Sequence, residues 1–350
     1  MIENGFYSQA NHGPYELHDI GDLALEEGGT IRGCKLAVAT HGSLNSAKDN
    51  AVLIPTWFSG TNKIMEQVYI GPGRALDPQK YFIVIVNQIG NGLSTSPHNA
   101  PAPSNMARFP RVRIGDDVRA QHKLVTEIFG VETLALVFGA SMGAQQTYDW
   151  AVRYPEMVKR AAPVAGTARN TDHDFIFTQT LIDAIRSDPA WSGGWYKGAG
   201  DVHMGLRSHA ALWAVMGWCT EFYKRETWRA LGFSSREDFL VNFMEGYFLP
   251  MDPNALLSMA WKWQHGDVSR MTGGDLAGAL GRIKAKTYVM PISSDMFFPP
   301  SDCQAEQKLI PGSEFRPIES MCGHFGLIGV EQTFTEQVDR NLRDLLGQDV

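Results

Sequence analysis

Three short apolar runs divide the first half of the chain: Ala51-Val52-Leu53-Ile54-Pro55, Tyr81-Phe82-Ile83-Val84-Ile85-Val86 and Leu134-Ala135-Leu136-Val137-Phe138. None alternates with polar residues, which is the pattern of strands covered on both faces. Between the last two, Asp116 to Phe129 carries Val118, Leu124, Val125, Ile128 and Phe129 as a helical stripe. Asp116 or Asp117 is its expected start signal and Gly130 its stop. A further helix is expected over Ala144 to Tyr154, halted by Pro155. Strand, helix and strand in succession predict a parallel sheet with helices on its faces.

The pattern changes near Thr171. From there to Gly281 it is helix-like, and seven of the nine tryptophans fall there: Trp191, Trp195, Trp213, Trp218, Trp228, Trp261 and Trp263. Strand signals return at Lys286-Thr287-Tyr288-Val289-Met290 and Glu314-Phe315-Arg316-Pro317-Ile318, and Gln332 to Leu346 reads as a closing amphipathic helix. The expected organisation is an α/β core from residues 1–170 and 282–350, with 171–281 inserted as a helical lid that is also a separate packing unit.

Composition narrows the possibilities. The 350 residues are 44% hydrophobic and 20% charged, as in a soluble globular protein with room for one large domain and an insertion. A formal net charge of −7 argues against a nucleic-acid partner and against a polybasic membrane anchor. Cys34, Cys219, Cys303 and Cys322 form no C-x-x-C pair and read as reduced thiols of a cytoplasmic protein, not as a zinc site or disulfide scaffold. No signal peptide and no apolar stretch of membrane-spanning length are apparent. No phosphate-binding loop of the G-x-x-x-x-G-K-[ST] kind and no H-E-x-x-H motif occurs. Asp172-His173-Asp174 reads as a polar hinge, so no metal or cofactor is expected.

The chemistry-bearing motif is Gly139-Ala140-Ser141-Met142-Gly143, a G-x-S-x-G match. By composition alone about 0.2 such matches are expected, so the motif by itself is weak. Its context is specific: it directly follows an apolar strand and directly precedes a helix. That is the setting of a nucleophile elbow, in which small neighbours permit a sharp turn and the helix N-terminus faces developing negative charge. A serine hydroxyl needs a base to take its proton, and the base needs an orienting acid. In an α/β-hydrolase fold these follow in the order Ser, Asp or Glu, His, each after a late strand. Asp295 and His324 meet both order and context. His122 on a helix, His265 in the insertion, and the acids Asp302 and Glu319 do not. The oxyanion hole needs two N–H groups, expected from Met142 and from the loop Thr56-Trp57-Phe58-Ser59-Gly60, with Phe58 favoured over Trp57. Trp57 and Ser59 in that loop, Trp218 in the insertion and Phe325 are the candidate substrate-pocket residues.

Read together, these segments resemble the homoserine O-acetyltransferase family of α/β-hydrolases. The likeness is carried by Gly71-Pro72-Gly73-Arg74-Ala75-Leu76-Asp77, by Asn50 to Ile54 with Ser59-Gly60, and by Ser141 to Gln146 with Trp150 to Pro155. Ser294-Asp295 with Phe298-Pro299-Pro300, and Gly323-His324, complete it. The resemblance implies Ser141, Asp295 and His324 as the triad, a homodimer, and an acyl-CoA as possible co-substrate. Three departures stand out. Phe325 replaces the aspartate that usually follows the histidine, Thr56 replaces a histidine, and the insertion shows no evident equivalent of a carboxylate-binding arginine, with Arg207 and Arg225 unplaced. A zwitterionic substrate under a lid needs opposite charges around it. The departures therefore favour a carboxyl ester hydrolase acting on a small-molecule ester, with water as acceptor. The alternatives are an acyl-CoA-dependent O-acyltransferase and, in another class, a non-catalytic ligand receptor.

Overall fold

The computed structural model describes residues 2–198 and 200–350. Its centre is an eight-stranded sheet: β1 (Glu16–Asp19), β2 (Lys35–His41), β3 (Ala51–Pro55), β4 (Phe82–Val86), β5 (Leu134–Ala140), β6 (Arg160–Val164), β7 (Lys286–Val289) and β8 (Glu314–Phe315). The strands lie in the order β1-β2-β4-β3-β5-β6-β7-β8. β1 and β2 run antiparallel to their neighbours, and from β4 to β8 every pairing is parallel. The strands expected from apolar runs are all present. In β3 and β5 every residue is buried, as helix-covered strands require.

Alternate residues feed two hydrophobic layers. Leu53, Val84 and Val137 face one, and Val52, Ile54, Ile83, Ile85, Leu136 and Phe138 the other. The second layer is closed by α1 (Asn62–Tyr69) and by the C-terminal helix at Gln332–Leu346, whose Phe334, Val338, Leu342 and Leu345 are buried. The bounds of that last helix agree with its sequence pattern.

On the other face lie α2 (Ile114–Lys123) and α3 (Met142–Arg153). The start of α2 differs from expectation. Arg113 is its N-cap, and Asp116 lies inside the first turn, where its carboxylate accepts the Arg113 N–H at 2.8 Å. Asp117 turns inward to a different partner. Beyond Lys123 the helix widens into one looser turn over Leu124–Ile128 before Gly130 (φ +67°).

Between β6 and β7 the chain is helical, including α4 (Asp172–Arg186), α5 (His203–Met216) and α6 (Pro253–Gln264). Thr171 caps α4 through Asp174 in a reciprocal capping box, which gives Asp174 a structural role at the start of the helix. After β7 come α7 (Pro300–Gln307), β8 and α8 (Gln332–Leu346). No helix among the described residues is long and apolar enough to cross a membrane. All four cysteines are free and buried.

Candidate active site

The site forms where β5 ends. Ser141 has φ 55° and ψ −125°, a backbone state that costs a residue with a Cβ on the order of 1–3 kcal/mol and is kept only by its surroundings. Here the Ser141 N–H donates to the Val164 carbonyl of β6 at 2.9 Å, and its own carbonyl accepts from Ala144 at 2.9 Å and Gln145 at 3.2 Å as α3 begins. The motif glycines are explained by contact. A Cβ on Gly139 would overlap the Gly143 carbonyl, and one on Gly143 would come 2.5 Å from the Pro55 carbonyl oxygen. β3 and the elbow thus approach each other through a gap that admits no side chain.

The late loops bring the partners in. His324 Nε2 lies 2.8 Å from Ser141 Oγ, and His324 Nδ1 lies 2.7 Å from Asp295 Oδ2. The other carboxylate oxygen, Oδ1, accepts the N–H groups of Phe297 at 2.8 Å and Phe298 at 3.3 Å. Asp295 is therefore held by its own loop while it orients the imidazole. Ser141, Asp295 and His324 are only 4–5% exposed. The His324 ring lies edge-on to Phe297 at 5.1 Å and beside Phe298 at 5.7 Å. Ser294, not assigned a role from sequence, ties the two loops together. Its hydroxyl donates to the Ser320 carbonyl at 2.6 Å and accepts the Gly323 N–H at 3.1 Å.

Met142 supplies the first N–H of α3, which has no intrahelical acceptor. Among the described residues neither this N–H nor that of Phe58 has a backbone or side-chain acceptor, so both remain free for an oxyanion. The Trp57 N–H is equally free, but the two rings part. Phe58 joins the layer containing Met142, Trp213, Phe297 and Phe325, whereas Trp57 joins the layer on the other face of the sheet. Trp57 thus packs in that other layer while its indole N–H lies beside the Tyr247 hydroxyl of the insertion, at the edge of the Trp213 cluster and not among its rings. Ser59 reaches the same tyrosine, with Oγ 3.1 Å from Tyr247 Oη.

Phe325 is 8% exposed and lies between Trp213 at 5.9 Å and Trp218 at 4.9 Å. Trp218 is fully buried, stacks on Phe222 at 4.0 Å and donates its indole N–H to Met244 Sδ, so it backs Phe325 and does not face Ser141. The hub of the cluster is Trp213, with Phe58, Phe177, Phe248, Trp263, Phe297 and Phe325 around it. Sequence reading missed Trp213, Trp263 and Phe297 as individual residues. The tryptophan-rich insertion and the Phe297-Phe298 pair beside Asp295 were the available signals.

The remaining candidates lie elsewhere. Arg207 pairs with Glu245 at 3.1 Å and Arg225 with Glu221 at 3.5 Å, both with exposed side chains, so neither serves a buried substrate carboxylate. His122 stacks on Tyr154 at 4.0 Å, and His265 on Trp261 at 4.1 Å. Among the described residues no three His, Cys, Asp or Glu side chains cluster as a metal site would require.

A buried serine, imidazole and carboxylate in line, at the end of a central parallel strand of this topology, define a serine hydrolase of the α/β-hydrolase fold. Comparison with known proteins agrees: the sequence profile of the alpha/beta hydrolase fold matches residues 52–216. The ethyl acetate hydrolase of Pseudomonas veronii is 61% identical, covering 98% of this chain and 99% of its own. The crystal structure of an acetylester hydrolase from Corynebacterium glutamicum superposes with a TM-score of 0.98 at 58% identity, covering 99% of this chain and all of the other. The homoserine O-acetyltransferase of Thermobifida fusca is 34% identical over 93% of this chain and 92% of its own. The chain belongs to the homoserine O-acetyltransferase-like family of α/β-hydrolases, and within it to the carboxyl ester hydrolases.

Proposed function

We propose that the protein hydrolyses esters of short carboxylic acids, acetate esters foremost, through an acyl-Ser141 intermediate resolved by water. His324 Nε2 takes the Ser141 proton as Oγ attacks the ester carbonyl carbon. Asp295 holds the imidazole tautomer and stabilises the imidazolium. The carbonyl oxygen becomes an oxyanion between the N–H groups of Met142 and Phe58. The intermediate collapses, the C–O bond to the alcohol breaks, and the leaving oxygen takes the proton from His324. A water molecule then attacks the acyl-enzyme with His324 as base, Ser141 is regenerated and the carboxylic acid departs. The cycle uses no cofactor.

The observation that carries this reading is the 2.8 Å and 2.7 Å relay enclosed by aromatic rings. The wall is apolar, and both arginines considered for a substrate carboxylate are paired at the surface. A neutral ester suits such a wall, and an amino-acid zwitterion does not. The names of the two relatives near 60% identity support acetate as the acyl group. The insertion acts as a lid, and Trp213 with Phe325 limits the acyl chain.

The test is to follow ethyl acetate and p-nitrophenyl acetate hydrolysis beside CoA release from acetyl-CoA with a panel of alcohols that includes homoserine. Ester hydrolysis without an added alcohol is the expected result. Alcohol-dependent CoA release with negligible hydrolysis makes the protein a transferase and overturns the proposal.

A further inference from the structure

Lys262 is one of the largest fully buried side chains in the protein. It projects from α6 of the insertion into the core, where its ammonium pairs with Asp117 of α2, and both side chains are completely inaccessible. Its remaining donors reach the Ile89 carbonyl at 2.7 Å and Gln88 Oε1 at 3.4 Å, so all three N–H groups have acceptors. The other Asp117 oxygen accepts the Ile89 N–H at 2.8 Å. The ion pair thus clamps both backbone polar groups of Ile89.

What Ile89 belongs to gives the clamp its meaning. The loop after β4, Gln88 to Asn91, braces both ends of the oxyanion loop. Gln88 donates its side-chain amide to the Thr56 carbonyl and its backbone N–H to Thr56 Oγ1 at 3.3 Å. Asn91 donates its amide to Thr56 Oγ1 at 3.4 Å and to the Gly60 carbonyl at 3.3 Å. Phe58 lies between those anchors. The same loop meets α6 a second time: at Gly90 (φ +92°) an added Cβ would come 2.7 Å from Ser258 Oγ.

A buried ion pair is a poor way to gain stability, because removing both charges from water costs about what their attraction returns, and an apolar pair of similar volume packs as well. In some systems such a pair instead selects one register among several. We propose that Lys262 and Asp117 are positioning residues for the oxyanion hole: seating of the insertion's α6 on the core sets, through Ile89 and Gln88, where the Phe58 N–H points. The lid and the transition-state binding groups are then one mechanical unit, and the hole is complete only when α6 is docked. The inference rests on the ester-hydrolase reading and adds to it the origin of one oxyanion donor's placement.

The experiment uses the full chain and two variants. Lys262→Met removes the clamp, and Gln88→Leu keeps Lys262 paired with Asp117 while removing the side-chain amide that bonds the Thr56 carbonyl and, with it, the weakest of the three ammonium acceptors. Folding is checked by near-UV circular dichroism, and assays are run well below each variant's Tm. The readouts are kcat/KM for p-nitrophenyl acetate, Ki for an alkyl trifluoromethyl ketone, which adds to a serine hydroxyl and forms an oxyanion, and Ki for the matching non-fluorinated ketone, which binds without reacting. Loss of one oxyanion donor costs about 10²- to 10³-fold. The expected result is that kcat/KM and trifluoromethyl ketone affinity fall together by about 10²-fold, while affinity for the unreactive ketone stays within about twofold of wild type. Wild-type kcat/KM in a folded variant overturns the proposal, as does equal weakening of both ketones, which reports plain loss of the pocket. If Lys262→Met does not fold, Gln88→Leu decides by the same criteria. A wild-type protein that hydrolyses no ester overturns the functional reading itself, whereas active wild type with unaffected variants overturns only the role of the clamp.

Discussion

Phe325 donates its backbone N–H to the Gly217 carbonyl at 3.0 Å, and its ring fills the space that any side chain at Gly217 would occupy. The residue after His324 is thus fixed to the C-terminal end of α5, and Cys219 adds a second link by donating its thiol to the Met321 carbonyl at 2.9 Å. The loop that carries the imidazole and the helical segment between β6 and β7 are thus joined by hydrogen bonds as well as by packing.

This packing sets the outcome of Phe325→Asp. From sequence alone the substitution restores a carboxylate that would attract an amino-alcohol. In the structure the new carboxylate replaces a ring lying between Trp213 and Trp218, and Arg207 and Arg225 are paired at the surface. Losing the ring costs about 3–5 kcal/mol, and an unpaired buried charge adds to it. The expected result is a large fall in Tm with no gain of homoserine-dependent CoA release. A stable variant that acetylates homoserine would show that position 325 selects the acceptor.

Ser141→Ala removes the proposed nucleophile while keeping a residue with a Cβ at the strained elbow. Turnover of p-nitrophenyl acetate should fall by about 10⁴- to 10⁶-fold with Tm unchanged, and labelling by a fluorophosphonate should vanish. Residual wild-type turnover would mean that another group attacks.

Asp295→Asn tests the tautomer. The asparagine oxygen can keep the two N–H bonds from Phe297 and Phe298, which leaves its NH₂ facing His324 Nδ1. The imidazole proton is then driven to Nε2, and the ring cannot accept from Ser141. A loss of about 10⁴-fold in kcat with little change in KM is expected. A proportionate rise in KM would instead indicate a collapsed loop.

Much of this was legible in the sequence, for physical reasons that vary by element. β3, β4 and β5 are buried on both faces and advertise themselves as unbroken apolar runs. The elbow was legible because its glycines answer a steric demand that few residues meet. β6 was not, since Arg160-Ala161-Ala162-Pro163-Val164 has small side chains and a proline in a central strand, usually a sign against one. The Pro163 carbonyl nonetheless accepts from Met290 at 3.0 Å, so the strand stays tied to its neighbour there. β1, with three of its four residues exposed, has no hydrophobic signature at all. The aromatic cluster was visible only as a density of tryptophans, because which ring faces the serine depends on the docking of helices distant in sequence. Lys262 and Asp117 are 145 residues apart, and nothing local marks either as buried.

Trp213→Ala addresses chain length. The indole touches Phe58, Phe297 and Phe325, the rings nearest the proposed oxyanion donor and the catalytic loops. Its removal should destabilise the fold by about 3–5 kcal/mol and open a void beside the acyl group. In the surviving folded enzyme, the ratio of kcat/KM for p-nitrophenyl butyrate to that for acetate should rise by about tenfold or more, the scale set by one or two methylenes in an apolar pocket. An unchanged ratio would locate the acyl group away from Trp213.

His209 couples the same tryptophan to pH. The ring is fully buried, its Nε2 accepts the Trp213 indole N–H at 3.0 Å, and its Nδ1 lies 3.4 Å from the Leu181 carbonyl. That pattern fits the neutral imidazole with its proton on Nδ1, and burial pushes the pKa from 6.5 down to about 4. Because the folded value lies below the unfolded one, the unfolded chain binds the extra proton first as pH falls. The contribution of His209 to stability is therefore complete above pH 6.5, declines between 6.5 and 4, and is gone below. A difference of this size amounts to about 3 kcal/mol in full and about 2 kcal/mol by pH 5. Glu306 works the other way: burial raises its carboxyl to about 7, so it favours the fold as pH falls. A single pH–stability curve mixes the two, and the comparison must be made against a variant. In His209→Gln a side-chain carbonyl can still accept from Trp213, but nothing titrates. Urea unfolding of both proteins at pH 7 and pH 5 should show the wild type losing about 2 kcal/mol more than the variant over that interval. Parallel losses would mean that His209 takes up its proton over the same pH range in the folded protein as in the unfolded chain, so that burial and the Trp213 bond do not hold it neutral.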